Sequence, residues 1–171
     1  VFKDYQAEAA KLMQVIAEYK QSPGNSLLDV ACGTGHHLDY LKERFNIEGL
    51  DLDPGLLEAA RQRLPGVTFH QADMTAFDLG RRFDVITCLF SAIGYVMPMD
   101  GLGKALTCMA AHLLPGGLLA VEPWFTPETW RAGTVHALLV DEPELKIARL
   151  NLSGAKGRIS FMDFHYLVAT P

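Results

Sequence analysis

The run Leu27-Leu28-Asp29-Val30-Ala31-Cys32-Gly33-Thr34-Gly35 constrains this chain more than any other feature: it reads as a strand buried on both faces that stops in a turn of small residues. Gly33 and Gly35 let the backbone turn tightly and approach a ligand with no Cβ in the way. His36 to Phe45 then reads as a helix, with Leu38, Leu41 and Phe45 at helical spacing. The turn therefore joins the carboxyl end of a strand to the amino end of a helix, where open α/β sheets hold their ligands. Asp29, inside the strand, is costly to bury unless it is hydrogen-bonded, and is expected to hold the glycine turn or a ligand amino group.

Further segments follow in the order such a sheet requires. Ile47 to Asp51 is a second short strand ending in a carboxylate, placed where these folds hold a ribose, so Asp51 is the ribose candidate. Val67 to Met74 reads as a third strand; Asp73 and Met74 at its end suit hydrogen bonding to an adenine and covering it. Phe83 to Ser91 is a fourth strand, and Leu113 to Gly117 leads into a fifth, Leu118 to Glu122. Helices fill the gaps: one over Asp4 to Tyr19, one capped at Asp53-Pro54 and running to Leu64, and one capped by Asp100. This alternation implies parallel strands with right-handed crossovers.

Composition bounds the function. With 171 residues, 49% hydrophobic and 20% charged, the chain suits one globular domain with a sizeable core. The net charge of −5 argues against a nucleic-acid partner, and Arg61, Arg63, Arg81 and Arg82 read as solvated faces. No apolar stretch approaches the ~20 residues of a membrane span and no signal peptide is visible, so a cytoplasmic protein with no membrane partner is expected. Three cysteines without metal-ligand spacing predict free thiols and no metal. The chain opens at Val1 rather than Met and stops at Pro171 after a strand-like segment, which predicts further residues beyond it, the closing strands of the sheet among them.

After Trp130 the pattern changes to strands alone: Thr134 to Val140, Leu145 to Leu152 and Arg158 to Val168, separated by turn residues. An antiparallel β insertion over 134–171 is expected after a nucleotide-binding Rossmann-like core over 1–133. In its last strand Met162, Phe164, Tyr166 and Val168 share a face that needs cover from the core or a second subunit, and Asp163 and His165 share the other.

The ordered set from Asp29 to Asp73 resembles the class I S-adenosylmethionine-dependent methyltransferases. Within them, Lys3-Asp4-Tyr5, Leu28 to Gly35, His70 to Met74, Phe90 to Tyr95, Val121-Glu122-Pro123-Trp124-Phe125 and His165 to Ala169 look like the bacterial N,N-dimethyltransferases of thymidine diphosphate-linked amino sugars. The resemblance implies an α/β Rossmann-like fold with helices on both faces of a parallel sheet, and transfer of a methyl group to the amine of a small molecule by in-line displacement. It implies S-adenosylmethionine contacts from Tyr5, Asp29, Ala31, Cys32, Gly33, Gly35, Asp51, Leu52, Asp73, Met74 and Phe90, acceptor contacts from Ser91, Trp124 and Phe125, and a homodimer. Glu122, Tyr95 and His165 are the candidates for accepting a proton, although a neutral amine is already a good nucleophile and no strong base is obligatory. The chain departs from the pattern around the acceptor, with Ala92 where those enzymes usually carry a second serine and one aromatic pair, Trp124-Phe125, where they often have three. Transfer to oxygen, and a cofactor-holding module without turnover, stay open as alternatives. A dehydrogenase fits less well, because Leu38 stands where its fingerprint needs glycine or alanine and Asp73-Met74 would have no role.

Overall fold

The computed structural model describes residues 3–97, 99–157 and 159–171. Its elements run α1 (Tyr5–Tyr19), β1 (Ser26–Val30), α2 (His36–Leu41), β2 (Asn46–Asp51), α3 (Pro54–Arg63), β3 (Thr68–Gln71), β4 (Phe83–Cys88), a 3₁₀ turn (Ala92–Tyr95), α4 (Met99–Ala111) and β5 (Leu113–Val121). Three strands follow: β6 (Val135–Glu142), β7 (Leu145–Lys156) and β8 (Ile159–Ala169). The chain divides into two compact units, one ending at Trp124 and one beginning at Phe125.

In the first unit β1 to β5 form one sheet in the order β3-β2-β1-β4-β5, with every pairing parallel. The order reverses between β1 and β4, so the crevice at their carboxyl ends is the ligand position of an open sheet. Apart from Ser26 and Asp29, β1 is apolar because both faces are covered: Leu27 joins a core with Ile16, Leu38, Leu41 and Leu57, while Leu28 and Val30 join another with Ile86, Ile93, Ala105 and Met109. Asp4 caps α1 by accepting the Ala7 N–H at 2.9 Å, and Asp53 caps α3 by accepting those of Gly55 and Leu56. Asp84 ties β4 to the start of β1, accepting the Gly24 and Ser26 N–H groups and the Ser26 hydroxyl. Among the described residues no helix is long and apolar enough to cross a membrane, and no cluster of His, Cys, Asp or Glu is arranged to hold a metal ion.

Several boundaries differ from the sequence reading. α2 ends at Leu41 rather than Phe45, because Arg44 closes a tight turn onto the Leu41 carbonyl before β2 begins. β3 stops at Gln71, so Asp73 and Met74 lie in the turn beyond it. β5 takes in Pro115-Gly116-Gly117, which were read as a lead-in turn: the pairing jumps from Phe83↔Leu113 to Val85↔Leu118, and the irregularity absorbs the extra residues.

The second unit is a sheet of consecutive antiparallel neighbours, β6-β7-β8, as the sequence predicts. It begins ahead of the expected start at Thr134 because the preceding loop is pinned to β7: Trp130 Nε1 donates to the Gly154 carbonyl at 3.0 Å and the Gly133 N–H to that of Ser153. Arg158, the expected first residue of the last strand, lies outside the described residues. The register places Leu139, Ala148 and Leu167 in one row and Ala137, Leu150 and His165 in the next. Leu139 and Leu167 are 78% and 74% exposed. The more open apolar face is thus the one carrying Asp163 and His165, whereas Asn151 and Ser153, opposite Phe164 and Met162, are buried.

Candidate active site

Among the described residues, three other than glycine take the left-handed backbone conformation: Ala31, Phe90 and Ser91, at φ of +58°, +55° and +55°. All three sit just past the carboxyl ends of β1 and β4, the two strands that flank the reversal of strand order. Backbone held in so sparsely populated a region is strained, and such strain collects at ligand sites.

The glycine turn is built from β2 as much as from β1. Asp51 Oδ2 accepts the Gly33 N–H at 2.8 Å, Asp51 Oδ1 accepts that of Asp53 at 3.0 Å, and the Cys32 N–H donates to the Leu50 carbonyl. Gly33, at φ +55°, faces open space where a Cβ would stand, so a side chain there would intrude on whatever the turn cradles. Gly35, also left-handed, packs toward Leu64 and Ala60, where an added Cβ would crowd α3. Asp29 does not hold the turn; it is buried and accepts the Thr87 hydroxyl of the neighbouring strand at 2.6 Å. Burial pushes its carboxyl up to about 6 against the restraint of that hydrogen bond. The expectation that Asp29 ties the turn is therefore replaced by Asp51, whose side chain reaches the backbone that Asp29 does not.

Around this turn the remaining candidates fall as follows. Leu52 is 64% exposed beside Asp51, the open apolar surface at that end of the sheet. Asp73 is exposed and accepts both the amide and hydroxyl of Thr75 on Oδ1, which hold its carboxyl below the usual range. Met74 packs half-buried against the core with Phe77 and Met109 rather than standing free. The Cys32 and Cys88 thiols are pushed up by burial, Cys88 to about 12, so both are neutral and unsuited to nucleophilic work.

Over the turn lies the start of α1. The Tyr5 ring stacks on His36 at 4.6 Å and meets His37 edge-on at 5.0 Å. Burial, then the Glu8 charge, raises the Tyr5 phenol. His36 Nε2 accepts from the Arg63 guanidinium at 3.1 Å, and its imidazole is held below the ordinary value by burial and then by that cation. His37 and Lys3 both bond Glu8 Oε2, at 2.9 and 3.0 Å; burial would raise the Glu8 carboxyl, but these bonds prevail and lower it. The Lys3 ammonium lies 3.6 Å from the Phe90 ring centroid. Lys3 and Arg63 are the residues that sequence reasoning missed. Arg63 donates from Nε to the Thr34 carbonyl of the glycine turn at 3.0 Å, a reach that its place on a polar helix face does not announce.

On the β4–β5 side, Ser91 donates to the Pro123 carbonyl and Glu122 accepts the Phe90 N–H. Trp124 lies against Gly94 so closely that a Cβ there would stand 3.1 Å from the Trp124 Cβ. Tyr95, on the same 3₁₀ turn, is 82% exposed. The first unit thus brings together Tyr5, Asp29, Gly33, Asp51, Phe90, Ser91 and Glu122 at one end of the sheet, while Phe125 and His165 belong to the second unit.

A parallel sheet with this order, a glycine turn after β1 and an acid closing β2 is the core of an open nucleotide-binding α/β fold, and the open cradle at Gly33 beside the Asp51 carboxylate fits S-adenosylmethionine. A methyltransferase domain family matches residues 27–117. The chain is 42% identical over 170 residues to the dTDP-3-amino-3,4,6-trideoxy-alpha-D-glucopyranose N,N-dimethyltransferase of Streptomyces venezuelae, covering 99% of this chain and 71% of the relative. It is 43% identical to the dTDP-3-amino-3,6-dideoxy-alpha-D-glucopyranose N,N-dimethyltransferase of Streptomyces fradiae, covering 99% and 66%. S-adenosylmethionine-bound CalS10, an amino pentose methyltransferase from Micromonospora echinaspora involved in calicheamicin biosynthesis, superposes with a TM-score of 0.90 at 42% identity, over 99% of this chain and 72% of that one. The chain belongs to the S-adenosylmethionine-dependent methyltransferases, in the family of the nucleotide-linked amino sugar N,N-dimethyltransferases.

Proposed function

We propose that this chain methylates the amine of a small nucleotide-linked amino sugar. The observation that carries the reading is the cluster of left-handed residues, Ala31, Phe90 and Ser91, closing the two central strands beside the open Gly33 cradle. S-adenosylmethionine supplies an activated methyl group on a sulfonium. Asp51, already ordered by the Gly33 and Asp53 amides, has lone pairs left for ribose hydroxyls; Leu52 offers an adenine an apolar surface and Asp73 its second carboxylate oxygen. Tyr5, Asp29 and Phe90 are assigned to the methionine end, together with the backbone from Ala31 through Cys32 to Gly35.

The chain's chemical task is orientation. Well-oriented groups gain effective molarities of ~10⁵ to 10⁸ M, about 7–11 kcal/mol, so an in-line arrangement of amine and methyl accounts for much of the rate without a strong base. Ser91 and Trp124 are assigned to the acceptor side with Tyr95 as a polar group on the same turn. The meander, with Phe125 at its entry and His165 on its more open face, is assigned to a homodimer contact. The free Cys32, Cys88 and Cys108 thiols favour a reducing, cytoplasmic setting.

Mass spectrometry of products formed from a panel of nucleotide-linked amino sugars, simple amines and phenols tests the acceptor; methylation of phenols or carboxylates alone would move the chain to oxygen transfer. Calorimetry with S-adenosylmethionine tests the cradle: Asp51→Ala should weaken binding roughly ten- to a hundredfold, the loss of about 1.5–3 kcal/mol of charge-assisted bonds. Unchanged affinity in a folded Asp51→Ala protein would place the site elsewhere.

A further inference from the structure

Glu122 stands at the end of β5, where a carboxylate facing an acceptor amine would be read as a base. Its contacts point to different work. Oε2 accepts the Phe90 N–H at 2.6 Å, its own N–H donates to the Cys88 carbonyl at 2.9 Å, and the next residue, Pro123, accepts from the Ser91 hydroxyl at 2.9 Å. The exit of β5 is thereby laced to the exit of β4 by three bonds spanning Cys88 to Ser91. Two of those residues, Phe90 and Ser91, are consecutive and both left-handed, a conformation that an L side chain abandons unless its surroundings enforce it. The Phe90 amide needs a partner in this pose, and the only side chain among the described residues that supplies one is that of Glu122. The Lys3 ammonium lies over the Phe90 ring.

We propose that Glu122 is a positioning residue: its carboxylate holds the left-handed Phe90–Ser91 turn, and with it the wall of the cofactor end of the site, and takes no proton from the acceptor. The assignment rests on the reading of this crevice as the S-adenosylmethionine site. It replaces the catalytic role expected of Glu122 from its place in the sequence.

Two substitutions separate reach from acidity. Glu122→Gln keeps the side-chain length and an oxygen that accepts the Phe90 N–H, but has no acid. Glu122→Asp keeps the acid and withdraws it by one methylene. The readouts are hydrogen exchange at the Phe90 amide in the free protein, S-adenosylmethionine affinity by calorimetry, and the pH profile of methyl transfer. The expected result is that Glu122→Asp speeds Phe90 exchange and weakens cofactor binding, each by about tenfold, the scale of one hydrogen bond lost through reach. Glu122→Gln should stay within about twofold of the parent on both, with the pH profile unmoved. The proposal is overturned if Glu122→Gln loses transfer while Glu122→Asp retains it, if both variants lose equally, or if neither changes Phe90 exchange. The exchange measurement needs no acceptor and no cofactor, so a failure to methylate amino sugars would count against the proposed function and leave this test to be decided on its own.

Discussion

Asp29 is the penultimate residue of β1 and Asp51 the last residue of the neighbouring β2, and they meet different fates. Asp51 has two backbone amides for its two oxygens, whereas Asp29 has one hydroxyl, from Thr87, inside a sheet covered on both faces. The consequence for Asp29 is a carboxyl raised from 3.8 to about 6 by burial. The folded chain therefore binds this proton more tightly than the unfolded one; the stability it lends is full below about pH 4 and is lost as pH rises through 6. Asp29→Asn keeps an oxygen for Thr87 and removes the charge. Thermal unfolding compared at pH 5 and pH 8 should show the variant more stable than the parent at the higher pH, by about 2–3 kcal/mol, with the gain shrinking toward acid. A gain independent of pH would mean that Asp29 is not the group that titrates. Keeping such a residue at a cost to stability is the signature of a ligand site.

The elements around the site are held by side chains that carry no chemistry. At the end of α4 the buried ring of His112 accepts the Leu79 N–H on Nε2 at 3.1 Å, donates from Nδ1 to the Cys108 carbonyl at 2.8 Å and packs on Phe77 at 4.4 Å. A backbone amide can only donate and a carbonyl only accept, so these bonds make Nε2 the acceptor and Nδ1 the donor. His112→Ala should cost about 2–4 kcal/mol in denaturant unfolding, from two lost bonds and a cavity, with cofactor affinity little changed. The glycine turn and the β1–β2 pair were legible because a continuous apolar run and left-handed glycines each have a single good explanation. Asp51 was legible as an acid near a ribose, but not as the tie for Gly33, since that bond joins residues on separate strands and leaves no local spacing to read. Arg63 and Lys3 were missed for the same reason: long cationic side chains on polar faces look alike in sequence whether they end in water or on a turn. The β5 boundary failed because Pro-Gly-Gly reads as a turn wherever it occurs, and only the pairing partner reveals an irregular strand.

For the molecule as a whole the meander sets the outstanding demand. Its Leu139, Leu150, Leu152, Leu167 and Val135 side chains lie on one face at exposures of 41% to 78%, a patch that in other proteins marks an interface. A second copy is the occupant proposed here, since closed two-fold pairing is the commonest arrangement of soluble homo-oligomers. Light scattering at micromolar concentration should give a dimer, and Leu150→Glu should give a monomer that still binds cofactor; a monomeric parent would remove the proposal. Leu150 sits opposite both Ala137 and His165, so a charge there strikes the centre of the open face.

The order of strands in the two units also sets a timetable. β6, β7 and β8 pair only with their nearest neighbours in the chain, so each contact closes a short loop. β1 must wait for β4, with two helices and two strands intervening, and the Asp29–Thr87 bond joins residues 58 apart. Rates of folding fall as such separations grow. On refolding of the full chain the meander is therefore the quicker unit to take shape, and the crevice that would hold the cofactor is the last part to come into existence.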